Sequence, residues 1–232
     1  MNARYLLLLA GILSLTGCMI EQAGPPQHDF RAIDRDSSEA VRVDLNMGAG
    51  NLRVSPGTEK LARADFTYSI PSWKPEVRYS SVGGRGTLHI EQPHGFKPHG
   101  NPRYEWDLRL NREVPVELAV HFGAGEAHLD LGTLTLRRVE VEMGVGSMNM
   151  DLRGNPKQDY DVRVNGGVGE AVVRLPSDVS VEAEAEGGIG EIKVQGMRKD
   201  GNRWYTEAYE SGKPRIHLSV HGGIGSIRLV AD

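Results

Sequence analysis

Hydrophobic and polar residues alternate along most of the chain with a period of two, which is typical of β-strands. Val139, Val141 and Met143 alternate with glutamates, and a second alternation begins at Met148 and Met150. Successive side chains of a strand point to opposite faces of a sheet, so each run has one apolar face to bury. The sequence therefore predicts an all-β fold, and no segment shows a convincing helical period.

Six Gly-x-Gly tripeptides interrupt this alternation. Their glycines are Gly48 and Gly50, Gly123 and Gly125, Gly144 and Gly146, Gly167 and Gly169, Gly188 and Gly190, and Gly223 and Gly225. At each tripeptide the alternation slips by one residue, which would turn the next strand inside out unless the chain bends. Glycine permits such a bend because it reaches positive φ without a Cβ clash. Each tripeptide is therefore predicted to be a structural corner. Its middle residue is expected to face inward, as the last apolar position before the slip (Ala49, Ala124, Val145, Val168, Ile189 and Ile224).

The spacing of the corners predicts the architecture. The second glycines of the tripeptides are 75, 21, 23, 21 and 35 residues apart. A repeat of about 21 residues with bends of one type indicates a β-solenoid, whose coils stack about 4.8 Å apart. A meander of hairpins is the alternative, since short strands suit both folds.

Two departures from the repeat carry further predictions. The long last spacing places an excursion at residues 196–214, expected to be a hairpin whose aromatic residues pack on the last coils. The inward position before each tripeptide holds Met47, Phe122 and Met143, and then becomes glycine in the last three coils (Gly166, Gly187 and Gly222). Either the solenoid narrows there or another group fills the space.

Residues 39–112 are predicted to form a β-rich N-terminal lobe that includes the first coil, and residues 113–232 the main β-solenoid. Within the lobe, strand-like runs at 64–70, 77–81, 87–91 and 104–110 are separated by proline and glycine. The two parts are expected to share one core.

Composition narrows the class of protein. The chain has 29 glycines in 232 residues, but it lacks a three-residue period and is 39% hydrophobic, which excludes collagen and a disordered glycine-rich linker. The formal net charge is −4 and no basic run occurs, so a nucleic-acid partner is not expected.

The N-terminus predicts a location. Residues 1–17 combine Arg4 with an apolar run of about ten residues, which is typical of a signal peptide and too short to span a bilayer. The end of this segment, Leu15-Thr16-Gly17-Cys18, is similar to a bacterial lipobox, which implies a lipid on Cys18 as the membrane attachment. A secreted protein with an incidental cysteine is the alternative. Residues 18–38 are then a lipidated tether. Because Asp is absent at position 19, the outer membrane is favoured if the cell has one, and otherwise the outer face of the cell membrane.

Candidate chemistry is sparse. The tripeptides do not open a helix after a strand and lack the lysine of a P-loop, so they do not indicate nucleotide binding. A glutamate directly follows three of the tripeptides, at Glu126, Glu170 and Glu191. If the coils stack in chain order, Glu170 and Glu191 lie on adjacent rungs. Such a row of carboxylates is either a solvated face or a site for Ca²⁺. His94 and His99 share a loop but lack further ligands. No nucleophile motif occurs, so no catalytic residue, metal site or cofactor is predicted.

Ordered motifs over about residues 40–230 resemble the toast-rack family of bacterial envelope proteins. They are Lys74-Pro75-Glu76-Val77, Leu88-His89-Ile90-Glu91-Gln92, Trp106-Asp107-Leu108-Arg109-Leu110-Asn111, Val114-Pro115-Val116-Glu117-Leu118, Phe122-Gly123-Ala124-Gly125-Glu126, Leu175-Pro176-Ser177-Asp178-Val179 and Gly222-Gly223-Ile224-Gly225-Ser226-Ile227. The resemblance implies a right-handed stacked β-coil related to adhesin-like domains and, remotely, to the extracytoplasmic part of LiaF-type envelope-stress proteins. It brings no catalytic residue set.

The sequence thus favours a non-enzymatic, membrane-anchored envelope lipoprotein whose solenoid binds an envelope protein or a cell-wall polymer. An accessory factor in envelope-stress sensing is the alternative, and an enzyme acting on polysaccharide is a weaker one.

Overall fold

The computed structural model describes residues 23–93, 102–210 and 215–232, which form one continuous sheet of 13 strands and one short 3-10 turn at Pro71–Trp73. The strands are β1 (Gln27–Ile33), β2 (Ala40–Pro56), β3 (Ala62–Tyr68), β4 (Glu76–Val82), β5 (Arg85–Glu91), β6 (Tyr104–Leu110), β7 (Val116–Asp130), β8 (Leu136–Asp151), β9 (Tyr160–Leu175), β10 (Val181–Gln195), β11 (Arg198–Asp200), β12 (Arg203–Tyr205) and β13 (Ile216–Ala231). The all-β prediction is confirmed.

Six long strands, one for each tripeptide, stack in parallel in the order β2, β7, β8, β9, β13 and β10. Short connections return the chain from β7 to β8, from β8 to β9 and from β9 to β10; in residues 131–135, for example, Leu131 and Leu134 are buried. A hairpin meander would pair these strands antiparallel, so the parallel register decides for the solenoid.

The coils do not stack in the order of the chain. Strand β13 lies between β9 and β10, so that Glu170 pairs with Ser226 and Ser226 pairs with Glu191. The prediction that Glu170 and Glu191 occupy adjacent rungs is therefore wrong, because a rung separates them by roughly 10 Å. The sequence hides this order because every coil has the same register at its tripeptide, and the excursion before β13 supplies the chain length that lets it turn back.

The strands run through the tripeptides without a break, and the second glycine of each has φ between 128° and 145°. A Cβ on Gly146 would lie 1.9 Å from the carbonyl oxygen of Gly125, so the bend requires glycine for space as well as for φ. The alternation slips here, since Met143 and Met148 are both buried although they are five residues apart.

The middle residues of the tripeptides face outward, contrary to the prediction. Val145 is 54% exposed and Ile189 is 71% exposed. Each of these residues lies at the apex of a bend that wraps around the core, and an apex side chain points away from the enclosed side. They form an exposed column whose side chains become larger from β2 to β10, in the order Ala49, Ala124, Val145, Val168, Ile224 and Ile189.

The N-terminal lobe extends from the two arms of β2, which are the parts of the strand before and after its bend. The first arm pairs with β5, which pairs with β4, and the second arm pairs with β6, which continues into β3 and β1. A single hydrophobic core runs through the lobe and the coils, from Val54 and Trp106 to Leu229. Residues 27–33, assigned from the sequence to the tether, instead form β1, whose weak alternation gave no signal because its pattern of exposure is irregular.

The missing bulk before the last tripeptides is replaced locally. A Cβ on Gly222 would lie 3.1 Å from the Cδ1 of Ile227, and one on Gly187 would lie 3.5 Å from that of Ile192. In these coils the first apolar residue after the bend therefore folds over the glycine before it. In β9 the corresponding residue is the smaller Ala171, and a Cβ on Gly166 would meet no atom nearer than 3.9 Å.

The excursion contains the hairpin of β11 and β12, and β12 pairs antiparallel with residues 182–184 of β10. Trp204 lies opposite Ala183 and packs against the core, and the rings of Tyr205 and Tyr209 are 4.4 Å apart.

Replacing Gly146 by Ala should destabilise the protein by more than about 4 kcal/mol, because the new Cβ overlaps a backbone oxygen that cannot move alone. Gly57 is the matched control, with φ 131° and no atom within 4 Å of its Cβ position. Gly57→Ala should cost about 1 to 3 kcal/mol, the strain of the backbone conformation alone. Urea unfolding compares the two, and equal losses would show that steric contact in the column is unimportant.

Replacing Trp204 by Ala should lower the melting temperature by about 5 °C, since the change removes half-buried apolar contact with the last coil. Asn202→Ala, at the exposed turn of the same hairpin, should leave the melting temperature unchanged. Calorimetry of both variants checks this, and a Trp204→Ala variant as stable as the parent would mean that the hairpin does not stabilise the stack.

Candidate functional site

An open groove of about 790 Å³ follows the bends of the first four coils. We call it the bend groove, and it is lined by Asn46, Met47, Gly48, Trp73, Gln92, Pro93, His121, Phe122, Gly123, Glu142, Met143, Gly144, Asn165, Gly166 and Gly167. Its floor is apolar, because Met47, Phe122 and Met143 are the inward residues before the tripeptides and Trp73 packs over the first coil. Its rim carries amide, imidazole and carboxylate groups.

The rim of the groove is the first part of a regular row of hydrogen-bonding side chains, which takes one residue from each of the six coils. The parallel register aligns Asn46, His121, Glu142, Asn165, His221 and Glu186, each directly before an inward position. We call this row the polar ladder. Since neighbouring strands lie about 4.8 Å apart, the row presents one polar group at each such step.

Two histidine–glutamate contacts orient the polar ladder. The Nδ1 of His121 and the Oε2 of Glu142 are 3.0 Å apart, and because an ionised carboxylate only accepts, the imidazole donates this hydrogen bond. The Nε2 of His221 lies 3.6 Å from the Oε2 of Glu186. His221 is one rung beyond Asn165, and Glu186 is two rungs beyond it. All five of these side chains are exposed, so their remaining hydrogen-bonding capacity faces solvent.

The end of the bend groove at the first coil is closed by a side chain from the lobe. The Oε1 of Gln92 accepts hydrogen bonds from the backbone N–H of Gly48, at 2.8 Å, and of Ala49, at 3.2 Å. The bend of β2 has no further coil beside it, and the Gln92 amide satisfies the donors that a neighbouring strand would otherwise take.

The charged faces of the strands differ from the bend groove because their charges compensate locally. Opposite charges two residues apart in the sequence pair repeatedly along the strands and at their ends, as in Arg103 with Glu105 at 2.8 Å and Arg153 with Asp151 at 2.6 Å. Hydrogen bonds from Arg153 hold the pKa of Asp151 below its usual range. Such a face offers little net potential to a polyanion, which agrees with the balanced composition.

The predicted site residues are dispersed. Cys18, His94 and His99 lie outside the described residues. Asn51, Glu126, Ser147, Glu170, Ser226 and Glu191 form one row in which carboxylates never adjoin. Within residues 23–93, 102–210 and 215–232, no three His, Cys, Asp or Glu side chains are placed to hold a metal ion. In the same ranges no helix is long and apolar enough to cross a membrane.

The sequence did not single out the polar residues of the groove, and it gave no reason to place Trp73 and Gln92 beside them. Each belongs to the N-terminal lobe, whereas the residues they approach belong to β2, β7 and β8. An isolated tryptophan in the turn after Pro71 was the available signal, but its neighbours become evident only when β5 pairs with β2.

Comparison with known proteins agrees with this architecture. A family model described as the N-terminal domain of toast_rack matches residues 22–174, and one described as the C-terminal part of LiaF, of the cell wall-active antibiotics response, matches residues 123–229. None of the curated proteins matches the chain.

Among solved structures, a candidate cell adhesion protein from Clostridium sporogenes is 34% identical, with a TM-score of 0.85; the alignment covers 89% of this chain and all of that one. Candidate adhesins from Bacteroides fragilis and Parabacteroides distasonis align at 12% and 10% identity over 90% of this chain and 99% of theirs, with TM-scores of only 0.35 and 0.29. The first family model spans well over half of the sequence, and the chain belongs to the toast-rack family.

Proposed function

We propose that this protein is a non-enzymatic lipoprotein of the bacterial cell envelope, in which the solenoid binds a cell-wall polymer along the bend groove. The observation that carries the proposal is the polar ladder above an apolar floor. A row with one hydrogen-bonding group at each rung is complementary to an extended polymer with its own repeat, and stacked coils commonly bind through such long surfaces.

The chemistry of the groove favours binding over hydrolysis. Among the described residues that line it, Glu142 is the one carboxylate, and its Oε2 is engaged by His121. Glycoside hydrolysis ordinarily uses a pair of carboxyl groups that flank the bond to be cleaved. Amide, imidazole and aromatic groups are instead the usual means of orienting a polar ligand over an apolar surface.

The proposed location follows from the N-terminal motif and the family. A lipid on Cys18 would anchor the chain, and an envelope position agrees with the match to the LiaF-like C-terminal model and with the cell adhesion protein of C. sporogenes. We propose the outer membrane in a cell that has one, and the outer face of the cell membrane otherwise.

The groove is tested by binding of the full-length protein, in detergent, to purified cell-wall sacculi. The double variant His121→Ala/Glu142→Ala should bind about tenfold more weakly, since it removes two hydrogen-bonding groups from the centre of the ladder. His128→Ala is the matched control, because His128 is a histidine on the other arm of β7 with a glutamate 3.9 Å away. Equal binding by all three proteins, or none by the parent, would contradict the polymer proposal.

The anchor is tested separately. Cys18→Ala should abolish incorporation of labelled palmitate and release the protein from the membrane fraction, because no other residue is proposed to carry lipid. Retention of label in this variant would contradict lipidation at Cys18.

The second candidate function is an accessory role in envelope-stress sensing, which the LiaF-like match over residues 123–229 favours. Deletion should then alter the transcriptional response to cell-wall antibiotics. An unchanged response, measured with a stress-promoter reporter, would exclude this role.

A further inference from the structure

Strand β10 is the last rung of the stack, and only part of its outer edge is covered. Strand β12 pairs with residues 182–184, whereas residues 186–195 have no partner strand on that side in the described part of the chain. The arm after the bend, residues 190–195, is therefore an open edge. We call it the free arm.

The free arm leaves the end of the core exposed. Ile192 is 37% exposed, although Ile227, in the same column on the neighbouring strand, is 5% exposed. Val194 is half-buried where its neighbour Leu229 is fully buried. An apolar edge strand of this kind is a template for a further strand.

Remaining parts of the same chain are poorly placed to cover this edge. The described chain begins beside the opposite end of the sheet, where the N–H of Gly24 donates to the carbonyl of Ser69 next to β3. If the signal peptide is removed, residues 18–22 reach at most about 18 Å, whereas seven strand spacings from β3 to β10 amount to about 33 Å. Residues 94–101 lie between Gln92, which bonds to Asn46 of β2, and Arg103, which precedes β6, so these described neighbours are five and six spacings from β10.

We propose that the free arm is a self-association edge, which pairs antiparallel with the free arm of a second copy around a two-fold axis at Ile192. This register places Ile192 opposite Ile192 of the second copy and Gly190 opposite its Val194. The apolar side chains of both copies then lie on one face, so the two cores become continuous across the pair.

Charge selects this register over its neighbours. With the axis at Ile192, Glu191 of each copy lies opposite Lys193 of the other, which gives two complementary pairs. Moving the axis to residue 191 places glutamate opposite glutamate, and moving it to residue 193 places lysine opposite lysine. A register shifted by half a step sets outward side chains against inward ones.

The two charges are available for exchange between copies. The Nζ of Lys193 lies 2.8 Å from the Oε2 of Glu191 in the same copy, with the two side chains 53% and 63% exposed. The antiparallel arrangement also places the two β11–β12 hairpins at opposite ends of the paired arms, because each hairpin lies on the far side of its own bend.

The register is tested by disulfide formation in membranes. Two tagged full-length copies are co-expressed, one with Glu191→Cys and one with Lys193→Cys, and oxidised with copper phenanthroline. The mixed pair should give several-fold more cross-linked dimer than either cysteine paired with itself, since only the mixed pair is directly opposed. Ser226→Cys with Arg228→Cys, in the same columns one strand inward, should give only the background of the parent protein.

Charge exchange provides an independent test. Glu191→Lys alone and Lys193→Glu alone should each weaken dimerisation of the full chain about tenfold in sedimentation experiments, since each places like charges opposite one another twice. The combined Glu191→Lys/Lys193→Glu protein should recover the parent's dimerisation.

Several outcomes would overturn the proposal. The first two are a parent protein that stays monomeric in membranes, and equal cross-linking at the edge and at the inner columns. A third is a combined charge variant that does not recover dimerisation. The fourth is a species larger than a dimer, which would indicate head-to-tail pairing with β1 or β4. Binding to sacculi depends on residues of the bend groove on β2 to β9, so either proposal can fail without the other.

Discussion

Close backbone contact between glycines at the bends is the constraint on which this structure depends. From β7 onward in the stack, each second glycine lies so near the carbonyl oxygen of the matching glycine on the neighbouring rung that a Cβ would fall 1.6 to 2.0 Å from that oxygen. At Gly50 a Cβ would fall 2.3 Å from the carbonyl oxygen of Tyr104. Because this contact recurs at one position of every coil, the bends of all coils stay in register. The parallel hydrogen-bond ladders on both arms, and the core they enclose, follow from that alignment.

The same alignment creates the surface features of the molecule. Residues directly before the inward position become the polar ladder, and residues at the apex become an exposed apolar column from Ala49 to Ile189. Neither row requires special chemistry in any single coil. A regular surface is therefore the natural functional element of this fold, which agrees with binding along a groove more than with catalysis at a point.

The two ends of the stack are treated differently. At the first coil, the lobe covers both arms of β2 with strands, and Gln92 satisfies the donors at the bend between them. At the other end, the β11–β12 hairpin covers only the first arm of β10. The consequence is an asymmetric molecule, with a closed end near its N-terminus and a partly open end far from it.

The sequence by itself determined the strands of the coils and the bend at each tripeptide, and it favoured the solenoid over a meander, because alternation and glycine placement are local properties of the chain. Even the lobe strands, such as the predicted 104–110, agree with the structure. The sequence did not determine the order of the coils, since identical registers make β9–β10 and β9–β13 neighbours equally compatible with the repeat. It also misplaced Val145, because the direction of an apex side chain depends on which side of the bend encloses the core. The bend groove and the free arm were likewise decided by tertiary structure, since both are produced by residues that approach only when the lobe packs and β13 inserts into the stack.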